Sequence, residues 1–81
     1  MRTLKFEAPV IVRSDQAEGQ LSIESVEACT DFLLKNWSGK RGDKHRAAIQ
    51  ACADATEGKK PVASARRAFL AAARDAGVLV R

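Results

Sequence analysis

The sequence predicts a two-layer α+β domain, in which helices cover a small sheet of three short strands, antiparallel or mixed. Two short stretches with the character of strands come first, three segments with helical periodicity follow, and an apolar run over residues 78–80 ends the chain. The predicted order is β-β-α-α-α-β, in one domain that spans residues 1–81. A sheet with one apolar face needs a covering layer, and the helices supply it.

The first two strands are predicted from alternation and from β-branched residues. Residues 4–7 alternate apolar and polar side chains, and residues 10–12 are Val-Ile-Val. Pro9 lies between them and has no backbone N–H, so the two pieces are not expected to form one central strand. After a polar loop, Leu21 and Ile23 alternate with polar residues and predict the second strand. The short loop favours antiparallel pairing.

The strongest local signal is a helix over residues 62–77, which is rich in Ala, Leu and Arg. Pro61 suits the start of a helix, and Gly77 suits a left-handed C-terminal cap. Phe69 is the one large side chain on a buried stripe of small residues, so we expect it to fill the space that the alanines leave. The stripe consists of Val62, Ala65, Phe69, Ala72 and Ala76, with Leu70 and Ala73 beside it.

Two further helices are predicted between the strands and this helix. The first begins after Ser25, a good N-cap, and runs to about Trp37. The second covers residues 44–57, with Asp43 as its N-cap and Gly58 as its stop. The predicted buried positions are Val26, Cys29, Leu33 and Trp37 on the first helix, flanked by Phe32 and Leu34, and His45, Ala48, Ile49, Cys52 and Ala55 on the second.

The segment ARRAFLAAARDAGVLV, residues 65–80, resembles the C-terminal part of a family of small bacterial proteins, domain-of-unknown-function family 982. The similarity covers nearly the whole chain. It implies the order of the elements, and it brings no catalytic or ligand residues that could be transferred to this sequence. The matching features outside the segment are Trp37 at the end of the first helix, and Ala47, Cys52 and Gly58 of an Ala-rich second helix.

Composition excludes several classes of protein. Hydrophobic residues make up 46% and charged residues 30% of the 81 residues, as in ordinary globular domains, which argues against disorder. No stretch approaches the roughly 18 consecutive apolar residues of a membrane span. The N-terminus lacks the apolar run of a signal peptide. We therefore expect a cytoplasmic protein without a membrane partner.

Charge is unevenly distributed along the chain. Residues 1–39 carry a net charge of −2 and residues 40–81 one of +6, for a total of +4. Such asymmetry indicates an anionic partner, or attraction between the halves within one molecule or across a dimer. A basic loop that opens the second helix offers N–H groups and cations to an anion, although a solvated loop is the simpler interpretation and Asp43 would compete. The candidate anion-binding residues are Lys40, Arg41, Lys44 and Arg46 here, and Arg67 and Arg74 on the third helix.

No catalytic, metal or cofactor site is predicted. A zinc site requires about four ligands, whereas the chain has two Cys and one His. Two helical turns, roughly 10 Å, separate His45 from Cys52, which is too far for a hydrogen bond. A pair of Cys29 as nucleophile with His45 as base stays open. Both cysteines are expected to pack as small apolar residues, and a disulfide between them is the alternative, which a reducing cytoplasm disfavours. His45 is expected to bond to backbone or solvent.

Three functions remain as hypotheses. The leading one is a non-enzymatic accessory or protein-interaction domain, including a homodimer, because short strands leave open edges. The second is binding of nucleic acid or another polyanion by the basic half, against which all four aromatic residues are assigned to the core. The third is a small enzyme. Arg66 is left out of the anion site, because it borders the buried stripe and is expected to pair with Glu24, Glu27 or Asp31.

Overall fold

The computed structural model describes residues 4–14, 19–35, 37 and 41–80. The chain forms an α+β domain, in which an antiparallel sheet of two strands packs against three helices, so the predicted class is confirmed. The elements are strands β1 (Lys5–Ser14) and β2 (Gly19–Ser25), followed by helices α1 (Val26–Lys35), α2 (Asp43–Thr56) and α3 (Val62–Ala76).

The predicted third strand forms only a single β-bridge to β1. The Arg13 N–H donates to the Val78 carbonyl and the Val80 N–H donates to the Ile11 carbonyl, both at 2.8 Å. A longer ladder does not form, because the Val78 N–H, which is on the β1 side, donates to the Ala73 carbonyl in the last turn of α3 instead. The prediction of three strands in the order β-β-α-α-α-β is therefore only partly matched.

Strand β1 passes through Pro9 as one strand, so the prediction of two separate pieces was wrong. Its pairing with β2 is irregular between Lys5 and Val10, and becomes regular where Val10 lies opposite Ile23. Pro9 falls within the irregular stretch, where the ladder does not need its missing N–H. Proline is excluded from a regular central ladder but not from a bulged one, which explains the difference.

Most predicted helix ends lie within one or two residues of the observed ones. The Ser25 hydroxyl accepts an N–H of the first turn of α1 at 3.1 Å, as an N-cap does. Gly77 closes α3 in the left-handed conformation, with φ of 75°, and Pro61 is the N-cap of that helix. The predicted capping role of Asp43 was wrong, since Gly42 is the N-cap of α2 and no side chain caps this end.

Three aromatic rings from different parts of the chain meet at the centre of the core. Phe69 is fully buried, as predicted, and its ring centroid lies 5.9 Å from that of Phe32 and 6.5 Å from that of Trp37. Trp37 follows α1 rather than ending it. Leu34 was predicted to flank the buried stripe, but it is 51% exposed, because it shares the solvent side of α1 with Asp31. The buried alanines of α3 are Ala65, Ala72 and Ala73.

Candidate functional site

The basic loop before α2 lies partly within the described residues. Lys40 lies outside them. Arg41 stands just before α2, Lys44 and Arg46 lie in its first turn, and all three are exposed. The Arg41 guanidinium donates to the carbonyl of Leu34 at 3.4 Å, which directs it toward the end of α1. Within the part of the chain that the structure describes, none of these three side chains forms an ion pair.

Arg67 and Arg74 are both exposed on α3. The connection between α2 and α3 is short, which makes the two helices antiparallel neighbours. Arg74, near the C-terminus of α3, therefore lies at the same end of this hairpin as Lys44. Arg67 lies two turns, about 10 Å, further along the helix. The fold thus brings Arg74 toward the basic loop and leaves Arg67 apart from it.

Ion pairs do not join the acidic half of the chain to the basic half among the described residues. Asp31 pairs with Lys35 at 3.0 Å within α1. Exposed pairs of this kind contribute little to stability. Within the described ranges, therefore, no ion pair joins residues 1–39 to residues 40–81 of the same molecule. The other two pairs, at 3.5 and 3.9 Å, both lie within residues 40–81, and they join Lys59 to Glu57 and Lys60 to Asp54.

Arg66 does not pair with an acid of α1, and that prediction was wrong. Its Nε–H donates to the carbonyl of Ala8 at 3.0 Å, in the irregular part of β1. Asp31 pairs with Lys35 instead. Helix α3 packs mainly against α2 and β1, so Arg66 faces the strand rather than the first helix. A guanidinium there supplies a donor to a strand carbonyl where the pairing between strands is interrupted.

The outer edge of β2 has no strand beside it in the described part of the chain. Strand β1 directs the backbone groups of Ile11 and Arg13 to the C-terminal segment, so its alternate residues face β2, opposite Leu21 and Ile23. Leu21 and Ile23 therefore use their backbone groups inside the sheet. The N–H and C=O groups that point away from the sheet belong to Gln20, Ser22 and Glu24.

The side chains of β2 do little to prevent another strand from pairing. Lysine and proline are common protections of an edge strand, and residues 19–25 contain neither. Glu24 is the one charged residue of the strand, and its carboxylate accepts a hydrogen bond from Ser22 at 3.3 Å. On the other face, Ile23 is buried and Leu21 is half-buried against the helices. The outer edge of β2 is therefore open, and the face of the strand toward the helices is apolar.

Two buried thiols meet between α1 and α2. The Sγ atoms of Cys29 and Cys52 lie 3.1 Å apart, and both residues are fully buried and free of disulfides. The hydrogen bond to Cys52, together with burial, raises the pKa of the Cys29 thiol, and either sulfur can be the donor. The same bond lowers the pKa of Cys52 against the effect of burial, with help from Thr30. Sequence reasoning placed both residues in the core but missed their contact, although both lie on buried stripes of consecutive helices.

His45 is buried and bonded to the backbone, as predicted. Its Nε2–H donates to the carbonyl of Leu33 at 2.8 Å, and its ring lies 5.0 Å from that of Trp37. The open alternative of a His45–Cys29 pair finds no hydrogen bond among the described residues, where each group contacts another partner. These residues also contain no group of three or more His, Cys, Asp or Glu that could hold a metal ion.

The surface of the described residues includes two open grooves. The larger, of about 800 Å³, runs along α1, where Leu34, Glu27 and Asp31 form its apolar and acidic wall and Thr30 forms part of its lining. The smaller separates β1 from α3 beside Arg66 and has a volume of about 510 Å³. Neither groove is enclosed. Across the described ranges, no helix has the length and apolar character needed to cross a bilayer.

Comparison with models of protein families shows which family the chain belongs to. A family model described as "Protein of unknown function (DUF982)" matches residues 8–80, from the middle of β1 to the C-terminal segment. Neither the comparison with curated proteins nor that with solved structures found a match. The family description assigns no activity. The resemblance noted for residues 65–80 is confirmed, and the chain belongs to the DUF982 family.

Proposed function

We propose that this protein is a non-enzymatic protein-interaction domain of the cytoplasm, which pairs with a second copy of itself through the outer edge of β2. The observation that supports this proposal is the row of outward backbone groups at Gln20, Ser22 and Glu24. Residues 78–80 form a single bridge on the far side of β1, so among the described residues the outer edge of β2 is the open one. Open edges add further strands through main-chain hydrogen bonds.

A two-fold axis through Ser22 gives this edge a self-complementary register. Gln20 of one copy then lies opposite Glu24 of the other, so an amide donor meets a carboxylate and the two Glu24 side chains stay apart. On the buried face, Leu21 lies opposite Ile23, which continues the apolar face from one copy to the next. The pairing joins the two sheets into one.

The proposal that the protein is not an enzyme is supported by the partners that its reactive side chains already bind. His45 binds a backbone carbonyl, and Cys29 and Cys52 bind each other in the core. Asp31, which lines the larger groove, pairs with exposed Lys35. Catalysis by a nucleophile or a general base needs such groups beside a bound substrate, whereas here they serve packing or face solvent.

Dimer formation is tested by Ser22→Lys, with the molar mass measured by size-exclusion chromatography and light scattering over a range of concentrations. The parent protein is expected to change from one chain to two as concentration rises. In the variant, two ammonium groups meet at the axis, so at least a tenfold higher concentration should be needed for pairing. Folding should be unchanged, because the Ser22 side chain is exposed.

Ser22→Thr is the matched control, since it keeps a hydroxyl at the axis and favours the strand. It should pair as well as the parent, and circular dichroism should give the same spectrum for all three proteins. A parent that stays a single chain at the highest concentration would remove the dimer. If Ser22→Lys forms the dimer at the same concentration as the parent, the dimer contact lies on another surface.

Binding of a polyanion is the second candidate function. The observation in its favour is that the five described candidate residues are all exposed and that none of them forms an ion pair with a described acid. Phosphates would release counterions when such side chains neutralise them, so binding would tolerate any sequence and weaken with salt. The residues concerned are Arg41, Lys44, Arg46, Arg67 and Arg74, together with Lys40.

A fluorescence titration with mixed short DNA and RNA, at low and at physiological salt, tests this candidate. Replacing Lys40, Arg41 and Lys44 together by Ala should weaken binding equally for all sequences and flatten its salt dependence. The matched control replaces Lys35, Lys59 and Lys60, which removes the same charge from residues that already pair with acids. Absence of binding at low salt, or equal losses in both triple variants, would eliminate the candidate.

A further inference from the structure

We propose that Cys29 and Cys52 form a reversible intramolecular disulfide when the protein meets a small two-electron oxidant such as hydrogen peroxide, and that this bond clamps α1 to α2. The two Sγ atoms lie 3.1 Å apart across the interface of these helices. A disulfide bond is about 2.05 Å long, so the sulfur atoms need to approach by roughly 1 Å. The proposal is independent of the self-association proposed above.

The surroundings of the two sulfur atoms give them different roles. Either thiol can donate in the contact between the two sulfur atoms, and that hydrogen bond raises the pKa of Cys29 and lowers the pKa of Cys52. The thiolate is the reactive form of cysteine. The lowered pKa of Cys52 favours it as the attacking group, and Cys29, whose sulfur lies 3.1 Å away, is placed to resolve the first product.

The groove along α1 brings solvent close to this pair. Thr30 and Thr56 both line the groove. Thr30 lies near enough to Cys52 to lower the pKa of its thiol, and the Thr30 hydroxyl donates to the Val26 carbonyl at 2.9 Å. The Thr56 hydroxyl donates to the Cys52 carbonyl at 2.9 Å. The groove thus reaches residues that adjoin the two cysteines, which are themselves fully buried. We expect a molecule as small and polar as hydrogen peroxide to reach the sulfur atoms when a threonine side chain changes its rotamer. A larger oxidant, such as the disulfide of a tripeptide, would need the two helices to separate first.

The reaction balances in two steps. The Cys52 sulfur attacks one peroxide oxygen, the O–O bond breaks, and the departing hydroxide takes up the thiol proton as water, which leaves a sulfenic acid on Cys52. The Cys29 sulfur then attacks the Cys52 sulfur, so that an S–S bond forms and the S–O bond breaks. The hydroxide released combines with the Cys29 proton as a second water. The two thiols lose two electrons, and the peroxide gains them.

The test treats the reduced, folded protein with hydrogen peroxide and follows its intact mass. The mass should fall by that of two hydrogen atoms, and dithiothreitol should restore it. Trypsin cleaves at several basic residues between the two cysteines, so the peptides that contain Cys29 and Cys52 should remain joined only in the unreduced digest. The oxidised chain should run as a single chain on a non-reducing gel, which separates this bond from one between copies.

Two further measurements make the result decisive. Cys29→Ser and Cys52→Ser should each lose the mass decrease of two hydrogen atoms. The disulfide closes a loop between residues 29 and 52, so the oxidised parent should melt higher by about 10 °C or more. Peroxide that leaves both thiols intact in the folded parent while joining them in urea would overturn the proposal. So would a joined form that melts below the reduced one.

Discussion

The three helices meet through side chains, whereas the strands and the C-terminal segment meet through backbone groups from distant parts of the chain. In the helical core, the rings of Phe32, Trp37 and Phe69 lie within 6.5 Å of one another. At the sheet, two hydrogen bonds of 2.8 Å tie the C-terminal segment to β1. The helical side should therefore respond to changes of volume, and the sheet side to changes of backbone conformation at single positions.

The largest expected effect is on the helical side. Phe69→Ala removes the ring that touches the other two, and should cost about 3–5 kcal/mol of unfolding free energy, as for large buried aromatics. A domain of this size has a total stability of the same order, about 5 kcal/mol or somewhat more. Urea denaturation should therefore find the variant largely unfolded or close to it.

Val62→Ala is the control on the same helix, since Val62 is only half-buried at its first turn. It should cost about 1 kcal/mol. Equal melting temperatures for Phe69→Ala and Val62→Ala would contradict the central position of the ring.

A smaller effect is expected at the junction between the two regions. Gly77 has φ of 75° and no heavy atom within 4 Å of an added Cβ, so Gly77→Ala would be strained by its backbone alone, at about 1 kcal/mol. The strain falls where the chain leaves α3 for β1. Hydrogen exchange should accelerate at the amides of Val80 and Arg13, which tie the C-terminal segment to the strand, more than at the centre of α3.

Gly42→Ala provides the comparison, because Gly42 also has open space around its Cβ position but an ordinary φ of −93°. A slightly poorer N-cap and a less flexible unfolded chain act in opposite directions there. The net change in stability should be close to zero. If both glycine variants lose the same stability, conformation at Gly77 is not what fixes the junction.

Sequence patterns predicted the helical side better than the sheet side, for a physical reason. Helix ends depend on neighbouring residues, so the Ser25 cap, the Gly77 cap and the buried position of Phe69 could be identified locally. The path of β1 through Pro9 depends on where β2 pairs with it, which no local pattern records. The short extent of the C-terminal pairing likewise depends on backbone groups that α3 uses first.

The same limit of sequence patterns, that they do not record contacts between distant residues, applies to the candidate sites. Exposure of the basic residues could be predicted, because charged side chains seldom lie in a core. The partner of Arg66 and the contact between Cys29 and Cys52 could not, since each joins residues that are far apart in the sequence. Helical periodicity placed both cysteines on buried faces, but it carries no information on which buried residues of two helices meet.

Helix α1 depends on α2 for its ending. The last four carbonyls of any helix lack a partner within it, and two of those in α1 accept hydrogen bonds from one residue just before α2 and one in its first turn. His45 donates to Leu33, and Arg41 donates to Leu34. Residues 26–37 made as a separate peptide would carry these carbonyls open to water and should fray from the C-terminal end. The first helix gains its full length only when the next part of the chain has folded against it.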